Sequence, residues 1–331
     1  MPTMLRLATF NLENLDDKAG ALPTLDERIA VMRPQLSRLR ADILCLQEVN
    51  GQEQPGQPRR LTALEKLLQN TPYAAYQVAH TVTAHGVPYD VRNLIVLSRF
   101  PILAKQQVKH DYAHEPLYRK MTALPAETAA NEVTWERPIL YVTIDLGNAR
   151  KLHLINLHLK SKIPTDIAGQ KFNEHKWRSV AGWAEGYFIS SMKRVGQALE
   201  TRILIDSIFD AAAAAGEEAF VAVSGDFNAD MDEVPIHAIR GPVEDTGNPA
   251  LVHRVMVPCE FSVPASSRYS LLHLGKGMML DHILVSRPMV TFYRGTEIHN
   301  EILPDESGAF RPDANFPESD HAPVVAEFEL P

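Results

Sequence analysis

Short apolar runs recur along the chain, and most of them close on a polar residue. Residues 5–10 form one such run, halted by Asn11-Leu-Glu-Asn14, and residues 41–46 form a second, halted by Gln47-Glu48. Runs at 74–79 and 93–97 have the length of strands. Residues 139–145 and 151–158 alternate apolar and polar positions around Gly147-Asn148, the pattern of a hairpin. Residues 221–223 read as a short buried strand, and Gly225 is expected to turn the backbone where that strand stops, so that Asp226 and Asn228 project from its end. Runs at 279–286, 290–298 and 322–328 complete the predicted strands.

Helical spacing is plainest over 25–39, where Ile29, Met32, Leu36 and Leu39 fall on one face. Pro34 is expected to kink or interrupt that helix. A second helix is predicted over 59–69, behind the Gly/Pro/Gln-rich loop 51–58, and a third over 172–215, broken near Gly182 to Gly186. A short helix should begin near Glu233. Residues 109–137 are polar and irregular, as an insertion over a sheet edge would be. No internal repeat is visible, and helices are too few between the strands for a doubly wound fold. The pattern therefore predicts an α/β protein of mixed sheets packed face to face, with helices outside.

Composition adds bounds. The chain has 331 residues, 45% of them hydrophobic, enough to bury a sizeable core in one large domain or two ordinary ones. Residues 1–10 lack the basic-then-apolar order of a secretory signal, and no apolar run reaches membrane length, so a cytoplasmic protein without a membrane anchor is expected. Cys45 and Cys259 make neither a disulfide framework nor a zinc pattern. The formal net charge of −8 argues against tight, non-specific binding of polyanions, although a local basic groove or a bound cation can still draw phosphate.

Collected together, the polar residues that end or precede apolar runs are Asn11, Glu48, His158, Asp226, Asn228, Asp281, Asp320 and His321. Hard oxygen donors with histidines suit Mg²⁺ or Mn²⁺ rather than zinc, and phosphate-ester chemistry is what such a site serves. Several have a plainer reading. Asp226 and Asn228 suit an Asx turn capping a helix, Asn11 an Asx turn, and Glu48 a loop carboxylate. His282 reads as a structural neighbour of Asp281, and Arg99 as a turn residue before Pro101.

Six segments occur in one order: Thr9-Phe-Asn-Leu-Glu13, Leu46-Gln-Glu-Val49, Asn156-Leu-His-Leu159, Gly225-Asp-Phe-Asn228, Leu280-Asp-His-Ile283 and Ser319-Asp-His-Ala-Pro323. In order and approximate spacing they resemble the endonuclease/exonuclease/phosphatase superfamily, which includes deoxyribonuclease I. The resemblance implies a single catalytic domain over 1–331, built as a four-layer sandwich of two mixed sheets flanked by helices. It implies Glu48 as the principal ligand of a Mg²⁺ or Mn²⁺ ion, with Asn11 and Asp320 orienting or completing its shell. Asp226 would take a proton from the attacking water, which Asn228 would position. His321, held by Asp281, would donate to the scissile phosphate, and His158 would bind the phosphate or assist the leaving group.

Lys160 and Lys162, in a segment similar to that of bacterial nuclease-like members, would add charge beside the phosphate. Arg59-Arg60, Arg119-Lys120 and Arg194 would line a groove, and the 109–137 segment, with His110, His114 and Arg119, would set specificity. The expected activity is metal-dependent hydrolysis of DNA or RNA phosphodiesters, with no obligate protein partner evident. A phosphoesterase for small molecules or lipid headgroups, and a catalytically silent scaffold, are the alternatives.

Overall fold

The computed structural model describes residues 3–307 and 316–331. In chain order its principal strands are β1 (Thr3–Leu15), β2 (Ile43–Val49), β3 (Gln77–His80), β4 (Asn93–Ser98), β5 (Ile102–Val108), β6 (Ile139–Gly147), β7 (Arg150–His158), β8 (Phe220–Asp226), β9 (Met256–Pro258), β10 (Asp281–Ser286), β11 (Tyr293–Ile298) and β12 (Val324–Leu330). The helices that cover them are α1 (Leu25–Leu39), α2 (Thr62–Leu68), α3 (Val180–Ala215) and α4 (Val234–Arg240). One six-stranded sheet has the order β11-β12-β1-β2-β4-β3 and the other β9-β10-β8-β7-β6-β5. Each is mixed: β1 runs parallel to β2 and β7 parallel to β8, while the other pairs are antiparallel.

Strand alternation builds the layers. In β1, Leu5 and Leu7 point between the sheets, where they meet Leu152, Leu154, Ala222, Ile283 and Phe328. Ala8, Phe10 and Leu12 point the other way, onto Ile29, Met32 and Leu36 of α1 and Leu64 and Leu67 of α2. On the second sheet Val221 and Val223 face outward against Leu204, Ile205 and Ile208 of α3. Helix, sheet, sheet and helix therefore stack as the four layers expected, because each central strand is apolar on both faces.

Local deviations have local causes. Helix α1 begins in a reciprocal capping box between Thr24 and Glu27 and runs through Pro34 without interruption, since its buried stripe spans both sides of the proline. Helix α3 likewise continues through Gly182 and Gly186, and it starts only at Val180. A Cβ at Gly182 would lie 2.6 Å from Gln170 Oε1, and one at Gly186 would collide with the carbonyl of Thr165, so these glycines admit close packing rather than breaking the helix. Residues 57–60 pair with 52–54 in a small hairpin, which shortens α2 at its start. Strand β5 lies at a sheet edge and carries Lys105, Gln106 and Gln107 in its middle, so only the three apolar residues Ile102-Leu-Ala104 announce it.

Gly225 does not turn the chain. It lies inside β8 at φ +140, where any Cβ would collide with the backbone carbonyl of Leu157 on the parallel neighbour β7. The 109–137 segment packs on α3 more than on a sheet edge: Trp135 is buried against Gly196 and donates from Nε1 to Glu200 Oε2 at 3.1 Å.

Candidate active site

The inward face of the strands is apolar at one end of the sandwich and polar at the other. Following the alternation, Leu7 gives way to Thr9 and Asn11, Cys45 to Gln47, Leu154 to Asn156 and His158, Ala222 to Ser224 and Asp226, and Ile283 to Asp281. The first polar tier closes on itself. Gln47 Nε2 donates to Thr9 Oγ1 at 3.1 Å and to Asn156 Oδ1 at 2.8 Å, while Asn156 Nδ2 donates to the carbonyls of Ile95 at 2.8 Å and Leu46 at 3.2 Å. Asn156 thereby ties the two sheets together at full burial, and the tier gives the residues above it a satisfied, rigid floor.

Above that floor, register sets His158, Asp226 and Asp281 side by side across β7, β8 and β10. Asp226 Oδ2 accepts from Asn11 Nδ2 at 3.1 Å and Asn228 Nδ2 at 3.0 Å, and lies 3.2 Å from His158 Nε2. Its Oδ1 accepts from the Asn228 backbone amide at 2.8 Å. Asp281 Oδ2 lies 2.7 Å from His321 Nδ1, which leaves His321 Nε2 on the other side of the ring. Ser319 Oγ donates to the Asn11 carbonyl at 2.7 Å and accepts from the His321 amide at 3.1 Å, fixing the loop before β12 against the end of β1.

Glu48 reaches the centre through a bulge. The pairing of β2 with β4 shifts between Leu46 and Val49, and Glu48 adopts φ +58. Strict alternation would send its side chain outward; instead Oε1 lies 3.5 Å from His158 Nε2 and Oε2 accepts from the Asn14 amide at 3.1 Å. Glu13 accepts from the Asp320 amide at 3.0 Å. Glu13, Asp320 and Glu48 all act electrostatically on the buried Arg28, whose guanidinium donates to the carbonyls of Leu12 and Glu13 at 2.7 and 3.0 Å.

Burial and neighbouring charge set the protonation states. Burial pushes the Asp226 carboxyl up to about 7, an effect opposed by His321 and reinforced by Asp281. Burial, with Arg137 nearby, holds His158 well below the ordinary histidine range, so it is neutral. Burial opposes the charge on His321 too, but the Asp281 carboxylate more than offsets it and holds that imidazole well above the ordinary range. Two histidines in one site are thus kept in opposite charge states.

The donor set fits a hard divalent cation. Atoms of Asp226, Asp281 and His321 lie within 4.8 Å of one another, Glu48, Glu13 and Asp320 cluster beside them, and Asp281 Oδ1 is buried with no hydrogen-bond partner among the described residues. An uncompensated carboxylate oxygen at full burial is a natural place for a cation or its water. His321 is a poor ligand while it holds its proton, because imidazolium has no free lone pair on either nitrogen.

The eight polar residues singled out along the strand ends converge on this region. The cationic residues divide. Lys160 lies beside the centre, its Nζ donating to Ser161 Oγ and the Ile163 carbonyl at 3.0 Å each. Lys162 is held in an ion pair by Glu233, Arg60 by Glu65, and Arg59 by Glu53. Arg194 is buried and donates to the Lys160 carbonyl, and the one hydrogen bond described for the Arg119 side chain goes to Met121 Sδ at 3.7 Å. Lys120 pairs with Glu127, His110 packs on Trp135, and Arg99 pairs with Asp42 at 3.0 Å. His282 is structural, between Glu260 and the Ala229 carbonyl. Arg92, Arg137 and Glu13 border the centre without having been singled out; Arg92 and Arg137 come from loops with no periodic pattern, and only Glu13 sat within a recognised motif.

Residues 8–321 match the profile of the Endonuclease/Exonuclease/phosphatase family. Among curated proteins no sequence match reaches significance. Among solved structures, an endonuclease/exonuclease/phosphatase family protein from Bacteroides thetaiotaomicron superposes with a TM-score of 0.59 at 16% identity, covering 100% of this chain and 96% of its own. TDP2 from D. rerio, solved in complex with a single-strand DNA product, gives 0.55 at 16% identity over 99% of this chain and 100% of its own. A mannosyl-6-phosphatase from Bacteroides thetaiotaomicron gives 0.56 at 15% identity over 97% and 98%. At such identities the likeness speaks for the fold alone. The profile match over nearly the whole chain, on a sandwich whose strand ends carry all six ordered motifs, shows that the protein belongs to the endonuclease/exonuclease/phosphatase family of phosphoester hydrolases.

Proposed function

We propose that the protein is a divalent-cation-dependent phosphodiesterase whose substrate is a nucleic acid. The observation that carries the reading is the buried Asp226, gripped by Asn11, Asn228 and His158 and set beside a His321–Asp281 pair of opposite charge. A base whose pKa is raised to about 7 is matched to proton transfer near neutral pH. Asp226 takes the proton of the attacking water, and Asn228 fixes the carboxylate through two hydrogen bonds so that one lone pair faces that water.

His321, kept as imidazolium by Asp281, presents its Nε2 proton to a non-bridging phosphoryl oxygen, where negative charge grows in the transition state. His158 stays neutral and adds no cost of burying a second cation. Glu48, Asn11 and Asp320 would hold the cation, as family enzymes generally use divalent metals. When bound, that ion neutralises charge on the phosphoryl group.

A diester substrate is favoured by the cationic groups Arg92, Arg137 and Lys160 that border the centre on one side, despite a net charge of −8. Family relatives that act on DNA and on a sugar phosphate mark the two directions open to the fold. The net negative charge supports a second reading, a phosphatase of small monoesters. Hydrolysis of bis(4-nitrophenyl) phosphate against 4-nitrophenyl phosphate, with Mn²⁺ or Mg²⁺, separates them. We expect the diester to be preferred and the Asp226→Asn variant to be inactive on both; a strong monoester preference would overturn the diester assignment.

A further inference from the structure

Beside the acidic centre lies a cavity of about 340 Å³ lined by Tyr89, Asp90, Arg92, Glu136, Arg137 and Lys160. Three of its side chains are cations with no ion-pair partner among the described residues: Arg137 and Lys160 are half-buried, where an unpaired charge is costly, and Arg92 is exposed. Arg137 Nη1 donates to the backbone carbonyls of His158 at 3.3 Å and Leu159 at 3.2 Å, and its Nε and Nη2 have no partner among the described residues. Arg92 makes no side-chain hydrogen bond there either. Two carboxylates share the cavity, Asp90 and Glu136. Glu136 is neutralised by Lys193 at 2.6 Å, so the balance of the lining is positive.

The loop that carries Arg92 is held in place. Asn93, fully buried, accepts from the Tyr89 amide at 2.8 Å and donates to the carbonyls of Tyr89 at 2.8 Å and Val49 at 2.9 Å. Asn50 accepts from the Arg92 amide at 2.9 Å, and Arg92 itself sits at φ +59. Cavity and centre are therefore anchored to the same strand end that carries Glu48. Crowding among the cations is visible in Lys160, whose ammonium is brought down to about 8 by burial and by Arg137, Lys193 and Arg194, in spite of Glu136.

We propose that this cavity is a second anion subsite, taking a phosphate of the substrate other than the one hydrolysed. The inference rests on the phosphodiesterase reading of the neighbouring centre. A guanidinium with two nitrogens unspent and a second arginine in the same lining match the oxygens of a phosphate, and an ammonium adds charge. Binding a remote phosphate here aligns the scissile one at Asp226 and His321, and it selects substrates that carry at least two phosphates.

The test compares TpT, which has one phosphate, with pTpT and TpTp, which add a terminal monoester, and TpTpT, which adds an internal diester. We expect kcat/KM for at least one two-phosphate substrate to exceed that for TpT by tenfold or more. Arg92→Glu should erase that ratio and lower the salt dependence of kcat/KM by roughly one counterion. Arg92 is exposed, and its side chain makes no hydrogen bond or ion pair among the described residues, so the variant should fold. Measurable cleavage at equal rates on all four, or a ratio that survives Arg92→Glu, would overturn the subsite.

Calorimetric binding of inorganic phosphate to metal-free protein supplies the second arm. There we expect Arg92→Glu to weaken binding at least fivefold; no binding by the wild type, or unchanged binding by the variant, overturns the subsite whatever the nucleotides show. Phosphate binding that is sensitive to Arg92, with none of the four nucleotides cleaved, keeps the subsite and rejects the nucleic-acid reading instead.

Discussion

Replacing Asp281 with Asn probes the charge state on which the proposed mechanism depends. The substitution keeps the shape of the side chain and removes only its charge from a pair at 2.7 Å, in which Asp281 is fully buried. Truncating one partner of a buried, hydrogen-bonded ion pair costs about 3–5 kcal/mol. That cost falls on the protonated form of His321, and each ~1.4 kcal/mol lost by that form lowers its pKa by about one unit. Because Asp226 and Asp320 also favour the imidazolium, we take the lower figure, a fall of about two units.

The sign follows. His321 has a raised pKa in the folded protein, so the stability contributed by the pair is complete below the ordinary histidine pKa and is lost as pH rises through the folded value. Asp281→Asn should therefore destabilise the protein more at pH 6 than at a pH above the folded value of His321. The variant's His321 should give up its proton at lower pH than the wild type's, and kcat on bis(4-nitrophenyl) phosphate should fall by about 10²-fold where the imidazole is neutral and recover partly as pH is lowered. Nitrogen-15 chemical shifts of the imidazole read the protonation state directly. A variant whose His321 titrates together with that of the wild type, or whose kcat falls less than threefold, would refute the reasoning.

Other parts of the account are open to equally direct tests. Gly225→Ala forces a Cβ against the Leu157 backbone, whose carbonyl carbon would lie 2.9 Å away, and urea denaturation should show a loss of about 3 kcal/mol or more. Asn156→Asp aims a carboxylate at the carbonyls of Leu46 and Ile95, so the variant should lose stability as pH rises from 4 to 8, by about 3 kcal/mol in all; a pH-independent loss would contradict the hydrogen-bond assignment. Glu48→Gln should abolish most of the thermal stabilisation that Mn²⁺ gives the wild type, which by linkage is about 2.7 kcal/mol when the ion is present at a hundred times its Kd. An unchanged melting shift would remove Glu48 from the cation site.

How much of this was legible in advance follows from where each signal resides. The layers could be read because both faces of each central strand are apolar, and the candidate site because the inward face turns polar at one end of several strands at once: Asn11, His158, Asp226 and Asp281 all continue a period-two pattern. Glu48 was visible by motif and not by alternation, since a bulge reverses its direction. Strand β5 escaped notice because an edge strand with polar residues lacks the pattern that marks a buried one. Gly182, Gly186 and Gly225 were misread as breaks because a glycine needed for close approach looks, in sequence, like one needed for a turn. Arg92 and Arg137 belong to loops, and only the folded chain sets them beside His158.

The central claim is nuclease chemistry at the Asp226 centre, and the most direct measurement is cleavage of labelled single- and double-stranded DNA and RNA with Mg²⁺ or Mn²⁺. Glu48→Ala and Asp226→Asn, purified in parallel, guard against a contaminating nuclease. The account expects metal-dependent cleavage of at least one polymer by the wild type and a loss of 10³-fold or so in both variants. Intact polymers in every lane, or cleavage that persists in the variants, would contradict it.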